Sequence, residues 1–220
     1  MELIAVSDVI KSGKIVPIEF YKSDCRRIRV ALAYGYFKAI LPSKKPEYIK
    51  MAQDLCSKFR AKPLGIKPFG IDYMYYKGEK KMVVLGSSNK ISPFLFSFKD
   101  DSSYNRFINK EAKEYFTQRV DLWKNIMNIN HEFKIRVSDA IGNMGSNSRR
   151  TSTLSFNRQL LAFSPHIVDA IIVHELAHYF QPNHSDKFYK IVFQNLPDYD
   201  RLEEYIKVGN FNGEMQWLKK

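Results

Sequence analysis

Val173-His-Glu-Leu-Ala-His-Tyr-Phe-Gln-Pro-Asn-His184 is the stretch around which the rest of the chain is read. On a helix, residues four apart lie almost above one another, about 6 Å along the axis, so His174 and His178 converge on one point. Glu175 sits one residue round, outside a first ring of ligands but within reach of a water held beside them. The spacing therefore encodes two nitrogen ligands for a divalent ion and one general base. Ser164 and Pro165 supply N-cap and first-turn residues, and Ile167, Val168, Ile171, Ile172, Leu176 and Tyr179 recur at helical spacing. A helix over about 165–181 is predicted, its early turns in the core and its later ones lining a cleft.

Three imidazoles and a water make the open four-coordinate arrangement of catalytic zinc, and His184 is the candidate third ligand. Pro182 biases Gln181 away from helical geometry and cannot extend the ladder, while Asn183 tolerates the left-handed conformation a reversal can need. The Gln-Pro-Asn turn is thus expected to swing His184 back. Its spacing is that of the metzincins, but those carry glycine at the position of Gln181, so the turn must differ. Glu203 or Glu204 on a later helix is the competing donor, with His184 preferred. Chance produces an HExxH pattern roughly once in a hundred or more chains of this length. Three of the five histidines here fall between 174 and 184. Imidazole donors favour one Zn2+ ion, although they also suit nickel, cobalt and iron.

With 220 residues, 45% hydrophobic and 14% aromatic, the chain can bury a sizeable core as one domain or two small ones. Cys25 and Cys56 form no CxxC pair, which excludes a thiolate metal site and argues against a disulfide framework. No apolar run reaches the ~18 residues of a membrane span, and the first residues do not read as a signal sequence, so a cytoplasmic location is expected. The formal charge is +12, and residues 1–100 hold 19 Lys plus Arg against 9 Asp plus Glu, a net of +10. Arg26, Arg27 and Arg29 near Tyr21, Tyr34, Tyr36 and Phe37 suggest a nucleic-acid face, but the charges are dispersed and no nucleic-acid motif accompanies them. Solvated surface is the preferred explanation.

Residues 15–41 carry strand signals, with Ile28-Arg-Val-Ala-Leu32 and Tyr36-Phe-Lys-Ala-Ile40 separated by Tyr34-Gly35. Pro46 opens a predicted helix to about 60; Ile71–Tyr76 and Met82–Leu85 flank the turn Lys77-Gly78, and Phe94–Phe98 is a further strand. Phe107, Tyr115, Phe116, Leu122, Trp123, Ile126 and Met127 mark a long helix over about 103–128. Phe133–Val137 and Thr153–Phe156 read as strands around a loop at 142–148, and helices are predicted near 186–195 and 199–208, the last with Asp200 and Glu203 as a capping box. The expected fold class is α+β: a basic, mainly β region over 1–100, then a helical zincin-like region over 101–220.

Leu154-Ser-Phe-Asn-Arg-Gln-Leu160, Ile172-Val-His-Glu-Leu-Ala-His178, Asn183-His-Ser185 with Phe188, and Leu196-Pro-Asp198 together resemble the YgjP-like metallopeptidases, relatives of the SprT-like proteins. The resemblance implies His174, His178 and His184 as ligands and Glu175 as base. It departs at Met144-Gly-Ser-Asn147, where members of that family carry Trp-Gly-Ser-Cys. The function expected is metal-assisted hydrolysis of a peptide or protein paired along Thr153–Phe156, with Tyr189 or Arg158 as candidate oxyanion partners and Asn157 and Arg158 mainly structural. Two other functions share the residues: a metal-dependent nucleotide (UTP-type) pyrophosphatase using the basic half, and a nucleic-acid-associated module with a structural metal.

Overall fold

The computed structural model describes residues 2–11, 13–59, 67–70, 72–140 and 143–213. In the first of two compact units, Met1–Lys67, strands β1 (Glu2–Lys11) and β2 (Lys14–Lys22) form an antiparallel hairpin. β3 (Arg29–Ala33) and β4 (Tyr36–Leu41) form a second hairpin, and β4 pairs parallel to β2, giving the order β1-β2-β4-β3. Alternation on β2 and β4 turns Val16, Ile18, Phe20, Phe37, Ala39 and Leu41 to one face, where helix α1 (Pro46–Lys58) covers them with Ala52 and Cys56. β1 lies outside the strand signal read from residue 15. Its Val6 and Ile10 are exposed and its Ile4, Ala5 and Val9 only partly buried, so the pattern does not announce a core face.

The second unit, Pro68–Lys220, holds two sheets and four α-helices among its described residues. β5 (Tyr73–Tyr76), β6 (Glu79–Leu85), β7 (Lys90–Ile91) and β8 (Leu95–Phe98) assemble in the order β5-β6-β8-β7. Lys77 and Gly78, with φ of 52° and 92°, make the left-handed turn between β5 and β6. Ile71, which opens the predicted strand, lies outside the described residues. Helix α2 (Asp101–Ile126) begins at a capping box in which Asp100 accepts from the Ser103 amide and the Ser103 hydroxyl oxygen accepts from the Asp100 amide. The change of composition at residue 100 falls at that N-cap, inside the second unit.

β9 (Lys134–Ser138), β10 (Gly145–Ser148) and β11 (Thr153–Asn157) make the sheet on which the remaining helices are organised. β11 is its centre, parallel to β9 and antiparallel to β10. Two expectations are thereby corrected. Gly145–Ser148, read as loop, is a strand, because backbone pairing to β11 needs no β-branched side chain. Thr153–Phe156, expected beside a cleft, has both backbone edges occupied, so the sheet's edges are β10 and β9. Helices α3 (Pro165–Phe180), α4 (Asp186–Asn195) and α5 (Tyr199–Val208) complete the unit. α5 starts from Asp198 without a side-chain cap, and not from a box at Asp200, since the Asp198 carboxylate is taken by His166 at 2.9 Å and Arg201 at 2.6 Å.

Candidate metal centre

α3 is buried on nearly every side: Ile167, Val168, Ile172, Val173, Leu176 and Ala177 are all core residues. Asp169 on the same helix is buried and accepts two hydrogen bonds from Arg119 of α2, one of 2.8 Å, so a paired charge as well as apolar packing fixes the helix. The helix is therefore a rigid platform for the side chains of its last turns.

His174, His178 and His184 offer ring nitrogens that all lie within 4.8 Å of one another. The Nε2 atoms of His174 and His184 are 3.0 Å apart. Tetrahedral zinc with bonds of about 2.0–2.1 Å holds its ligand nitrogens about 3.3 Å apart, close to this separation. Each helical histidine has its other nitrogen engaged: His174 Nδ1 lies 2.8 Å from the Tyr199 hydroxyl, and His178 Nδ1 lies 3.2 Å from the Gln181 carbonyl. Such partners fix the ring orientation and turn Nε2 toward the common centre. Phe188 of α4, fully buried, packs against all three, with centroid distances of 4.9, 4.6 and 4.8 Å.

The turn that returns His184 is held by side chains. Gln181 is extended at φ −131°, and its amide donates to Asn183 Oδ1 at 2.6 Å and Ser185 Oγ at 3.2 Å. Asn183 does not adopt the left-handed conformation, which among described non-glycine residues occurs at Lys77, Asn128 and Ser152. Pro182 and the Gln181 bonds reverse the chain without it. Glu203 forms an ion pair with Lys207 at 2.8 Å, Glu204 is exposed, and neither joins the three-histidine cluster.

Burial lowers the His174 pKa to about 4, helped by the neighbouring His178 and His184, and burial also lowers that of His178. Both are therefore neutral at pH 7, the form that binds metal. Glu175 is 6% exposed, and burial raises its pKa to about 8. β10 closes over it. A Cβ on Gly145 would stand 2.6 Å from Glu175 Oε1 and 2.7 Å from Ile171 Cγ2, and Asn147 donates its amide to the Glu175 carbonyl at 2.8 Å. The donor set, its spacing and the neutral imidazoles of His174 and His178 fit a single zinc ion.

Residues 97–208 match the family model described as YgjP-like, metallopeptidase domain. The chain belongs to the YgjP-like metallopeptidase family. Among solved structures it is similar to the metallopeptidase zymogen jannalysin of Methanocaldococcus jannaschii, with 26% identity, a TM-score of 0.39, and coverage of 41% of this chain and 92% of that one. It is also similar to the zymogen abylysin of Pyrococcus abyssi, with 21% identity, a TM-score of 0.39, and coverage of 41% and 90%. No curated protein matches it. For this YgjP-like chain the family implies a metal-dependent hydrolase acting on peptides or proteins, and no described helix is long and apolar enough to cross a membrane.

Asn157 is buried, with its amide on the carbonyls of Ala140 and Asn143, and Arg158 is bound to Asn105 and Asp139. Both hold the loops around β11. Tyr189 lies nearer the cluster, its ring centroid 6.3 Å from that of His184. Gly145, Tyr199 and Phe188 serve the site without having been singled out as site residues. The glycine that persists in Met144-Gly-Ser-Asn147 was the one available signal for Gly145.

Proposed function

We propose that the chain is a zinc peptidase in which His174, His178 and His184 hold one ion and Glu175 moves the proton. The observation that carries this is three ring nitrogens within 4.8 Å of one another on the same short segment as a buried carboxylate. When bound, the ion supplies the Lewis acidity that activates a water and polarises the substrate carbonyl. Glu175 accepts the proton of the attacking water and passes it to the leaving amine. Its burial, at 6% exposure, keeps bulk water from competing for that proton. β10, paired on one side only, receives an extended peptide through backbone hydrogen bonds, which gives tolerance of sequence along most of the substrate. Tyr189 is the side chain offered to the developing oxyanion. The free thiols Cys25 and Cys56 suit a reducing compartment such as the cytoplasm.

Elemental analysis beside peptide digestion tests the proposal. Wild type should carry about one zinc per chain and cleave denatured protein; Glu175→Gln should keep the zinc and lose activity by about 10³-fold or more, while His174→Ala, His178→Ala and His184→Ala should lose the zinc. Full zinc affinity in His184→Ala would move the third ligand to Glu203 or Glu204. Release of pyrophosphate from a nucleoside triphosphate panel, abolished by Glu175→Gln and without peptide cleavage, would replace the peptidase with a nucleotide hydrolase.

A further inference from the structure

Glu175 and Tyr179 are four residues apart on α3 and so face the same way, about 6 Å from one another along the axis. Beside Tyr179 is a pocket of about 180 Å3 lined by His131, Phe133, Asn147, Arg149, Ser152 and Tyr179. Asn147 ties it to the proposed centre, because the side chain that lines the pocket also donates to the Glu175 carbonyl at 2.8 Å. Gly145, two residues earlier on β10, is the residue whose Cβ position abuts the Glu175 carboxylate. The pocket therefore follows the line of β10 and α3, one helical turn from the proton-transfer group. An extended peptide advances about 3.3 Å per residue, so the pocket stands about two residues from the bond under attack.

Its walls are rings. His131 meets Phe133 edge-on with centroids 4.6 Å apart, Tyr179 lies 5.6 Å from His131, and Tyr179 meets Phe133 edge-on at 6.4 Å. Of its polar groups, His131 Nε2 and Ser152 Oγ are 3.1 Å apart and Asn147 Nδ2 serves the Glu175 carbonyl, while Asn147 Oδ1 is buried without a partner among the described residues. No carboxylate lines it, and exposed Arg149 forms no ion pair among the described residues. A guanidinium at the rim repels lysine and arginine side chains but stacks on an aromatic face.

We infer that this pocket is a side-chain subsite that takes an aromatic ring of a substrate laid along β10. The inference rests on the peptidase reading. Edge-to-face packing against three rings favours phenylalanine, tyrosine or tryptophan over alanine by tenfold or more. An acidic side chain would have Arg149 alone as a partner and would lose solvation against the rings.

Two measurements separate the subsite from the reading beneath it. Zinc-loaded wild type digests denatured casein, with cleavage sites mapped by mass spectrometry; aromatic residues should be enriched at one fixed position about two residues from the cut. Zinc-loaded Glu175→Gln is titrated with capped hexapeptides that differ only in one Phe→Ala exchange, and the aromatic peptide should bind about tenfold more tightly. Phe133→Ala or Tyr179→Ala in that background, each shown to be folded by thermal unfolding, should bring the ratio to about one. Equal binding of the two peptides, or a preference untouched by both substitutions, would overturn the subsite, as would enrichment of Asp or Glu that Arg149→Ala removes. Absence of cleavage by wild type together with tenfold discrimination in binding would overturn the peptidase and leave the pocket standing.

Discussion

At Gly145 a single missing methyl group makes room for the buried carboxylate. Its place is set by closeness, since an added Cβ would fall 2.6 Å from Glu175 Oε1 and 2.7 Å from Ile171 Cγ2. Gly145→Ala should displace the carboxylate or the strand, costing about 1–3 kcal/mol of stability and at least tenfold in kcat, with zinc content retained. Unfolding and steady-state kinetics on the zinc-loaded variant check both. Glu175 itself makes a pH prediction. In metal-free protein its folded pKa is raised from 4.5 to about 8, so between those values the unfolded chain binds fewer protons and stability falls as pH rises. The cost of burying it is absent below pH 4.5 and complete above about pH 8. Metal-free Glu175→Gln should therefore be more stable than metal-free wild type at pH 8, by on the order of a few kcal/mol, and the gap should close toward pH 4.5 in urea unfolding.

Each histidine is oriented from a different part of the chain: His174 by Tyr199 of α5, His178 by the Gln181 carbonyl after α3, and all three rings by Phe188 of α4. Tyr199→Phe removes the hydroxyl and keeps the ring, so the fold should persist while zinc affinity falls about 10- to 100-fold in chelator competition. Phe188→Ala should instead cost about 3–5 kcal/mol of stability, because its ring has no exposed surface and the space beneath three imidazoles is left empty. The difference between these two kinds of support explains what was legible beforehand. α3 and its histidines share one local period, so their spacing alone places them; α2, α4 and α5 announce themselves by apolar stripes in the same way. Gly-Ser-Asn-Ser has no apolar alternation to betray β10, and Tyr199 reaches His174 from 25 positions away, a pairing that only tertiary structure makes. The side-chain bonds of Gln181 likewise replaced the left-handed Asn183 that local propensity suggested.

The three histidines, Glu175 and every orienting side chain named above belong to the unit Pro68–Lys220, whereas the four-stranded sheet under α1 belongs to Met1–Lys67. A fragment beginning at Pro68 should accordingly bind about one zinc with the affinity of the full chain, measured by the same chelator competition; loss of binding would show that the first unit is needed for the centre. Most of the net positive charge lies within Met1–Lys67, outside the unit that holds the three histidines, so raising the salt concentration should leave zinc binding unchanged. A strand paired on one side only is also a template for another copy of itself. β10 is four residues long and reads Gly-Ser-Asn-Ser, too short and too hydrophilic to zip productively with its twin, so the opening proposed for the substrate carries little aggregation hazard.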